Sequence, residues 1–482
     1  MPANAPNDTK IPDTLLGQAA ALAEGEVTAT GLVDAAIERI GKTQGTLNAF
    51  RTVISERALR EAAEADRRLA AGDRAPLLGV PVAVKDDTDV EGETTPFGCG
   101  GHFPVAAEDA RLVERLTEAG AIVVGKTNAP EIGQWPLSDS RAFGNVRNPW
   151  NPERTPGGSS GGSSAAVAAG LVAAAVGSDG GGSVRIPASW TNLVGIKPSR
   201  GRISSYPAID YGFGLSVNGP LARTVSDAAA LYDALEGDLH ADERYHADEP
   251  LDGPLLHAAE RDPGALKIAV VLNAPMAFTP NALDLGVKNA VLRIADVLAG
   301  LGHEVFEATI NYGPIGVTWV IRGANFCRSW VERHVADPKS QLDPRTRASA
   351  QAGAAMRPLL RPAIAAEPGL ARRAGKIFER ADVVLMPTTA EPPLRAGAID
   401  DLGEWATNAV ISRACPYTFA WNVLGWPGIS VPAGILAGDL PVGAQLLGRT
   451  GDEPRLVSLA AQLEASERWH ERRPDPSRYG LA

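Results

Sequence analysis

Apolar residues recur at helical spacing through the first part of the chain. Residues 15–23 and 30–40 each place an apolar stripe on one helix face, and Ser55 caps a third helix that stops near Gly72. The pattern then changes. Residues 79–84 form a short continuous apolar run, read as a buried strand. Asp109 caps a helix with Leu112, Val113 and Leu116 on one face, ended by Gly120, and 121–124 is a second buried strand. Helices set between short apolar strands predict α/β architecture.

Two glycine/serine loops in 156–187 flank a stretch made almost wholly of Ala, Val and Gly, read as a buried helix. Residues 237–263 are polar and read as a surface excursion. A strand over 266–272, a helix over 282–301 and a strand over 303–310 follow. Residues 315–380 read as helices with basic edges. Strands over 383–386, 429–431 and 442–447 precede a last helix over 454–463. There is no internal repeat. One large α/β domain over 76–482 fits this pattern, with a helical region at 1–75 packed on it and a helical insertion.

Composition narrows the classes. The chain has 482 residues, 44% hydrophobic and 21% charged, as in a water-soluble globular protein, and its 51 glycines imply closely approaching backbones. A net charge of −11 argues against nucleic acid or an anionic membrane as partner. Cys99, Cys327 and Cys415 are far apart and lack metal-ligand spacing, so neither a disulfide framework nor a zinc site is expected. The N-terminus has no basic and apolar signal pattern, and no apolar run is long enough to span a bilayer, so a cytoplasmic location is expected. A homodimer is compatible with the sequence, which is silent on oligomeric state.

Three motifs compete for the chemistry. Residues 120–127, GAIVVGKT, match a P-loop letter for letter, but the variable positions are Ala-Ile-Val-Val, a buried strand rather than an open phosphate cradle. Residues 157–161, GGSSG, match a hydrolase nucleophile elbow. Three prolines precede them where a strand is required, and His303, His334 and His470 sit in no glycine-rich loop after a strand. The third constellation joins separate segments. Lys85 ends an apolar strand, where burial would lower its pKa and make it a base. Ser183 closes the run Gly180-Gly181-Gly182, whose exposed N–H groups suit an anion nest.

Taken together, these segments resemble the amidase signature family: GVPVAVKD at 79–86, GAIVVGKTNAPEIG at 120–133, FGNVRNPWNPERTPGGSSGGSSAAVAAG at 143–170, GSDGGGSVRIPAS at 177–189, GIKPSRGRIS at 195–204, GPLARTVSDAA at 219–229 and GWPGISVPAG at 425–434. The resemblance implies a central mixed β-sheet covered by helices on both faces, with a variable helical pocket region at about 313–380. It implies a Ser–cis-Ser–Lys triad with Ser183 as nucleophile, Ser159 as relay in a cis peptide and Lys85 as base. It further implies oxyanion donors from Gly180, Gly181, Gly182 and Ser183, support of the lysine by Ser160, an Asp179–Arg185 brace, and no cofactor or metal. The run here carries a third glycine where many members have a β-branched residue or threonine, which would loosen the loop.

The implied substrate is a small amide, anilide, lactam or carbamate, with ester or urethane cleavage as a side activity. GSVRIPAS, NPW and APE are similar to hydrolases of ω-amino acid amides, aryl acylamides and carbamates. The alternatives are a non-catalytic binding subunit or the glutaminase component of a glutamyl-tRNA amidotransferase, which acts with a partner. Ala129-Pro130-Glu131 replaces the methionine–acidic pair of that component, favouring a stand-alone enzyme. Trp135, Phe143, Trp319, Phe326, Trp330 and Trp421 are candidate pocket walls, favouring an aryl or long aliphatic group.

Overall fold

The computed structural model describes residues 11–237, 239–247, 250–275 and 283–481. The strands are β1 (Phe50–Val53), β2 (Pro81–Lys85), β3 (Ile122–Thr127), β4 (Asp139–Ser140), β5 (Gly144–Asn145), β6 (Ala174–Asp179), β7 (Val194–Lys197), β8 (Val217–Ala222), β9 (Lys267–Val271), β10 (Glu304–Ala308), β11 (Val383–Pro387), β12 (Gly428–Leu436) and β13 (Leu440–Leu447). Eleven of them form one mixed sheet in the order β1-β3-β2-β6-β8-β7-β12-β13-β11-β9-β10, while β4 and β5 pair separately. Every residue of β2, β3, β6 and β8 is buried, which requires cover on both faces. Edge strands β1 and β10 are partly exposed. This is the α/β architecture expected.

The predicted helices at 15–23 and 30–40 are Leu15–Glu24 and Ala29–Leu47, each capped by a threonine, Thr14 and Thr28. The third runs Ser55–Ala70, but its cap position is Ile54, so Ser55 is its first helical residue rather than its cap. Asp109 does not cap Arg111–Glu118 either. Its carboxylate is held by Arg57 at 2.6 and 2.9 Å and by the Glu91 N–H at 2.7 Å, an ion pair stronger than a cap. The predicted start of the next helix, Ala282, lies outside the described residues, as does the start of the chain through residue 10. That helix is described over Leu285–Gly300.

The Ala/Val/Gly stretch proves to be a helix and a strand. Gly161–Ala168 is an entirely buried helix, and Ala174–Asp179 is β6. Small residues are demanded by contact: a Cβ on Gly162 would stand 2.5 Å from the Ala49 carbonyl oxygen, and one on Gly177 2.5 Å from Ser160 Oγ. Uniform Ala/Gly composition hides the change of period, so the strand is not visible as an alternation. No described helix is long and apolar enough to cross a membrane.

Candidate active site

β2 and β6 are neighbouring parallel strands, with Val84 opposite Val176, so both bring their carboxyl ends to one edge of the sheet. Lys85 is the last residue of β2, and Ser178 and Asp179 are the last two of β6. The chain leaves β6 through Gly180–Ser183 into the helix Arg185–Thr191. The loop holding Ser159, whose peptide with Gly158 is cis, leads into Gly161–Ala168. Three sequence-distant loops therefore meet at one point.

Lys85 Nζ is 2.7 Å from Ser159 Oγ and 2.8 Å from Ser178 Oγ. Burial, the largest influence, pushes the lysine below its ordinary pKa, against the opposing pull of the Asp87 carboxylate 3.5 Å away. Asp87 in turn accepts hydrogen bonds from Ser178 Oγ and from the Tyr211 hydroxyl, the latter at 2.6 Å. Burial raises the Tyr211 phenol, keeping it a donor. Ser160, expected to support the lysine, instead donates to the Ser178 carbonyl at 3.1 Å and accepts from its N–H. Its hydroxyl faces the end of β6, and Ser178 takes the place beside Nζ.

Asp179 organises the glycine loop. Its carboxylate accepts from the N–H groups of Gly182 at 2.8 Å and Val184 at 3.1 Å, and pairs with Arg185 at 3.0 Å. Asn422 Nδ2 adds a bond of 2.8 Å. Burial alone would raise this carboxyl, but Arg185 holds it well below the usual carboxylate range. The Gly182 N–H, expected among the anion donors, is therefore turned away from the cavity. The N–H groups of Gly180, Gly181 and Ser183 have no such acceptor among the described residues. Gly182 has φ +125, and a Cβ there would sit 2.2 Å from Thr418 Oγ1.

Ser159, Ser178, Gly180, Gly181 and Ser183 line a cavity of about 450 Å³. Of the aromatic candidates, Trp135, Trp319 and Phe326 line it. Trp319 Nε1 also donates to the Gly180 carbonyl at 3.2 Å. Phe143 lies in the turn between β4 and β5, away from the cavity. Trp330 stands behind a lining residue, edge-on to Phe97 with ring centroids 6.0 Å apart, and Trp421 is entirely buried core.

Phe97, Tyr211 and Phe419 complete the aromatic lining, and the helix Glu404–Ala414 supplies a wall lying outside the expected insertion. Sequence reasoning missed Asp87, Ser178 and Tyr211. The first two adjoin the Lys85 and Asp179 motifs, whereas Tyr211 carries no local signal. The P-loop lookalike is strand: Gly125, Lys126 and Thr127 belong to β3, and Lys126 Nζ is bound to Thr94 and Thr95.

The family model described as Amidase matches residues 31–457. AmiA2 of Mycobacterium tuberculosis (strain ATCC 25618 / H37Rv) is 47% identical over 456 residues, covering 94% of this chain and 93% of that protein. AmiB2 of the same strain is 43% identical over 468 residues, covering 95% of this chain and 97% of that protein. A solved structure of 6-aminohexanoate cyclic dimer hydrolase with substrate superposes with a TM-score of 0.87 at 28% identity, covering 97% of this chain and 99% of that chain.

Proposed function

The chain belongs to the amidase signature family, and from that membership we propose that it hydrolyses the C–N bond of an amide, anilide, lactam or carbamate through an acyl-enzyme on Ser183. The observation that carries this reading is the Lys85–Ser159 contact of 2.7 Å in the wall of the cavity that Ser183 also lines.

Neutral Lys85 accepts a proton from Ser159 Oγ, and Ser159 takes one from Ser183 Oγ as that oxygen attacks the carbonyl carbon. The new C–O bond pushes the carbonyl π electrons onto oxygen. The N–H groups of Gly180, Gly181 and Ser183 hold that charge, since Gly182's is committed to Asp179. Collapse breaks the C–N bond, and the proton returns from Lys85 through Ser159 to the leaving nitrogen. Water then attacks the ester, giving its proton to the same relay, and the acid leaves as Ser183 is restored.

Burial lowers the lysine's pKa and so favours the neutral form the mechanism needs, and Ser178 with Asp87 orients it. Carbamates and esters present the same carbonyl and fall within this scheme. The test is release of aniline from a panel of aliphatic and aryl anilides by the wild type, Lys85→Ala and Ser183→Ala. Loss of at least a thousandfold in kcat/KM in both folded variants is expected. Full activity in either refutes the assignment.

A further inference from the structure

The cavity lining contains one formally charged side chain. Among the described lining residues only Glu404 has an acidic side chain, and there is no lysine, arginine or histidine. Lys85 lies behind Ser159 and is spent on Ser159 and Ser178. Tyr211 and Cys415, the other titratable lining groups, are both pushed up by burial and stay neutral.

Glu404 begins the helix Glu404–Ala414, where a carboxylate complements the helix dipole, so its presence strains nothing. The helical repeat then sets Asn408, Ile411, Ser412 and Cys415 along the same cavity wall. Among the described residues no ion pair or hydrogen bond engages the Glu404 carboxylate, and partial burial is the sole influence on it, raising its pKa. Asp87 and Asp179, the carboxylates at the floor of the site, already have basic partners, Lys85 and Arg185. Among the described lining residues, Glu404 is the one carboxylate without a partner of its own. The cavity's rings, Phe97, Trp319 and Phe326, suit the apolar or aryl remainder of such a ligand and also favour a cation.

We propose that Glu404 selects substrates carrying a protonated amine away from the scissile bond, so that this chain prefers ammonium-bearing amides and discriminates against carboxylate-bearing ones. This rests on the amide hydrolysis proposed above. It also bears on the amidotransferase reading, since the α-carboxylate of glutamine would meet no cation in this wall.

The test is calorimetric binding of three anilides matched in length: 6-aminohexananilide, hexananilide and the monoanilide of adipic acid. Full-length Ser183→Ala protein prevents turnover, and Glu404 is kept or changed to Gln. With Glu404 present, the ammonium probe should bind about five- to tenfold tighter than the neutral one, and the carboxylate probe at least fivefold weaker. In E404Q, shown folded by thermal melting, the ammonium-to-neutral ratio should fall to about one. Equal binding of the three probes, failure of the ammonium probe to bind, or a ratio unchanged in E404Q overturns the proposal. Because binding is read without turnover, cleavage of hexananilide by the wild type without an ammonium preference sinks only this inference. An ammonium preference in a wild type that cleaves no anilide sinks only the proposed hydrolysis.

Discussion

Asp87→Asn isolates the control of Lys85. The Asp87 carboxylate stands 3.5 Å from Nζ, with both side chains almost fully shielded from solvent. Two unit charges at that distance attract by about 1 kcal/mol at the dielectric of water and about 5 kcal/mol at an effective dielectric of 20. Asparagine keeps an oxygen for Ser178 and Tyr211 but removes the charge that favours the ammonium form. The base must be neutral to accept a proton, so kcat/KM rises with pH as Lys85 deprotonates. Without Asp87 the ammonium form loses support and deprotonation begins at lower pH. The acid limb of the profile should therefore move toward acid by roughly tenfold or more in proton concentration, since about 1.4 kcal/mol corresponds to a factor of ten. The assay is kcat/KM for a neutral anilide between about pH 5 and 10, with both proteins checked for folding at each end. An acid limb that stays in place, or moves toward alkali, refutes the assignment of Lys85 as the base.

Other perturbations test the frame of the site. Asp179→Asn leaves Arg185 buried without its partner and should cost about 3–5 kcal/mol in chemical denaturation. Because that carboxyl is depressed in the fold, its contribution is present above pH ~4 and fades as pH falls below it, so the gap between variant and wild type should narrow in acid. Gly182→Ala puts a Cβ against Thr418 Oγ1 at φ +125 and should lose about 2 kcal/mol or more of stability and most activity, read by melting and anilide turnover. Trp319→Ala removes a cavity wall and the donor to the Gly180 carbonyl, and should lower kcat/KM at least tenfold. Phe143→Ala, away from the cavity, should change kcat/KM less than twofold in the same assay.

Strands such as β2 and β3 were legible as short apolar runs bounded by turn residues, whereas β6 was not, because it shares its small-residue composition with the buried helix before it. The Lys85, Ser159 and Ser183 segments were singled out through the resemblance of their motifs to the amidase signature family, and the structure brings Lys85 against Ser159 and sets Ser159 and Ser183 in one cavity wall. Residues whose position depends on chain crossings were not legible. Tyr211 reaches Asp87 across 124 positions, and Glu404 reaches the cavity from a helix beyond β11. Hydrogen-bond direction was also hidden. The glycine run advertises its donors, but only the placement of Asp179 shows that Gly182's is already used. Ser178 takes the supporting role expected of Ser160, because of the two serines before Gly161 only Ser159 reaches Nζ while the Ser160 hydroxyl bonds the backbone at the end of β6. Aromatic residues in one stretch of sequence divided between lining and backing, since helix Ile315–His334 turns Trp319 and Phe326 inward to the cavity and sets Trp330 against Phe97.

The most direct test of the central claim is reaction of the protein with a fluorophosphonate, followed by peptide mass spectrometry. The account predicts a single adduct on Ser183, lost in Lys85→Ala and Ser159→Ala variants that remain folded. An adduct on Ser159 or Ser160 in the wild type, or no adduct on a folded protein, would contradict it.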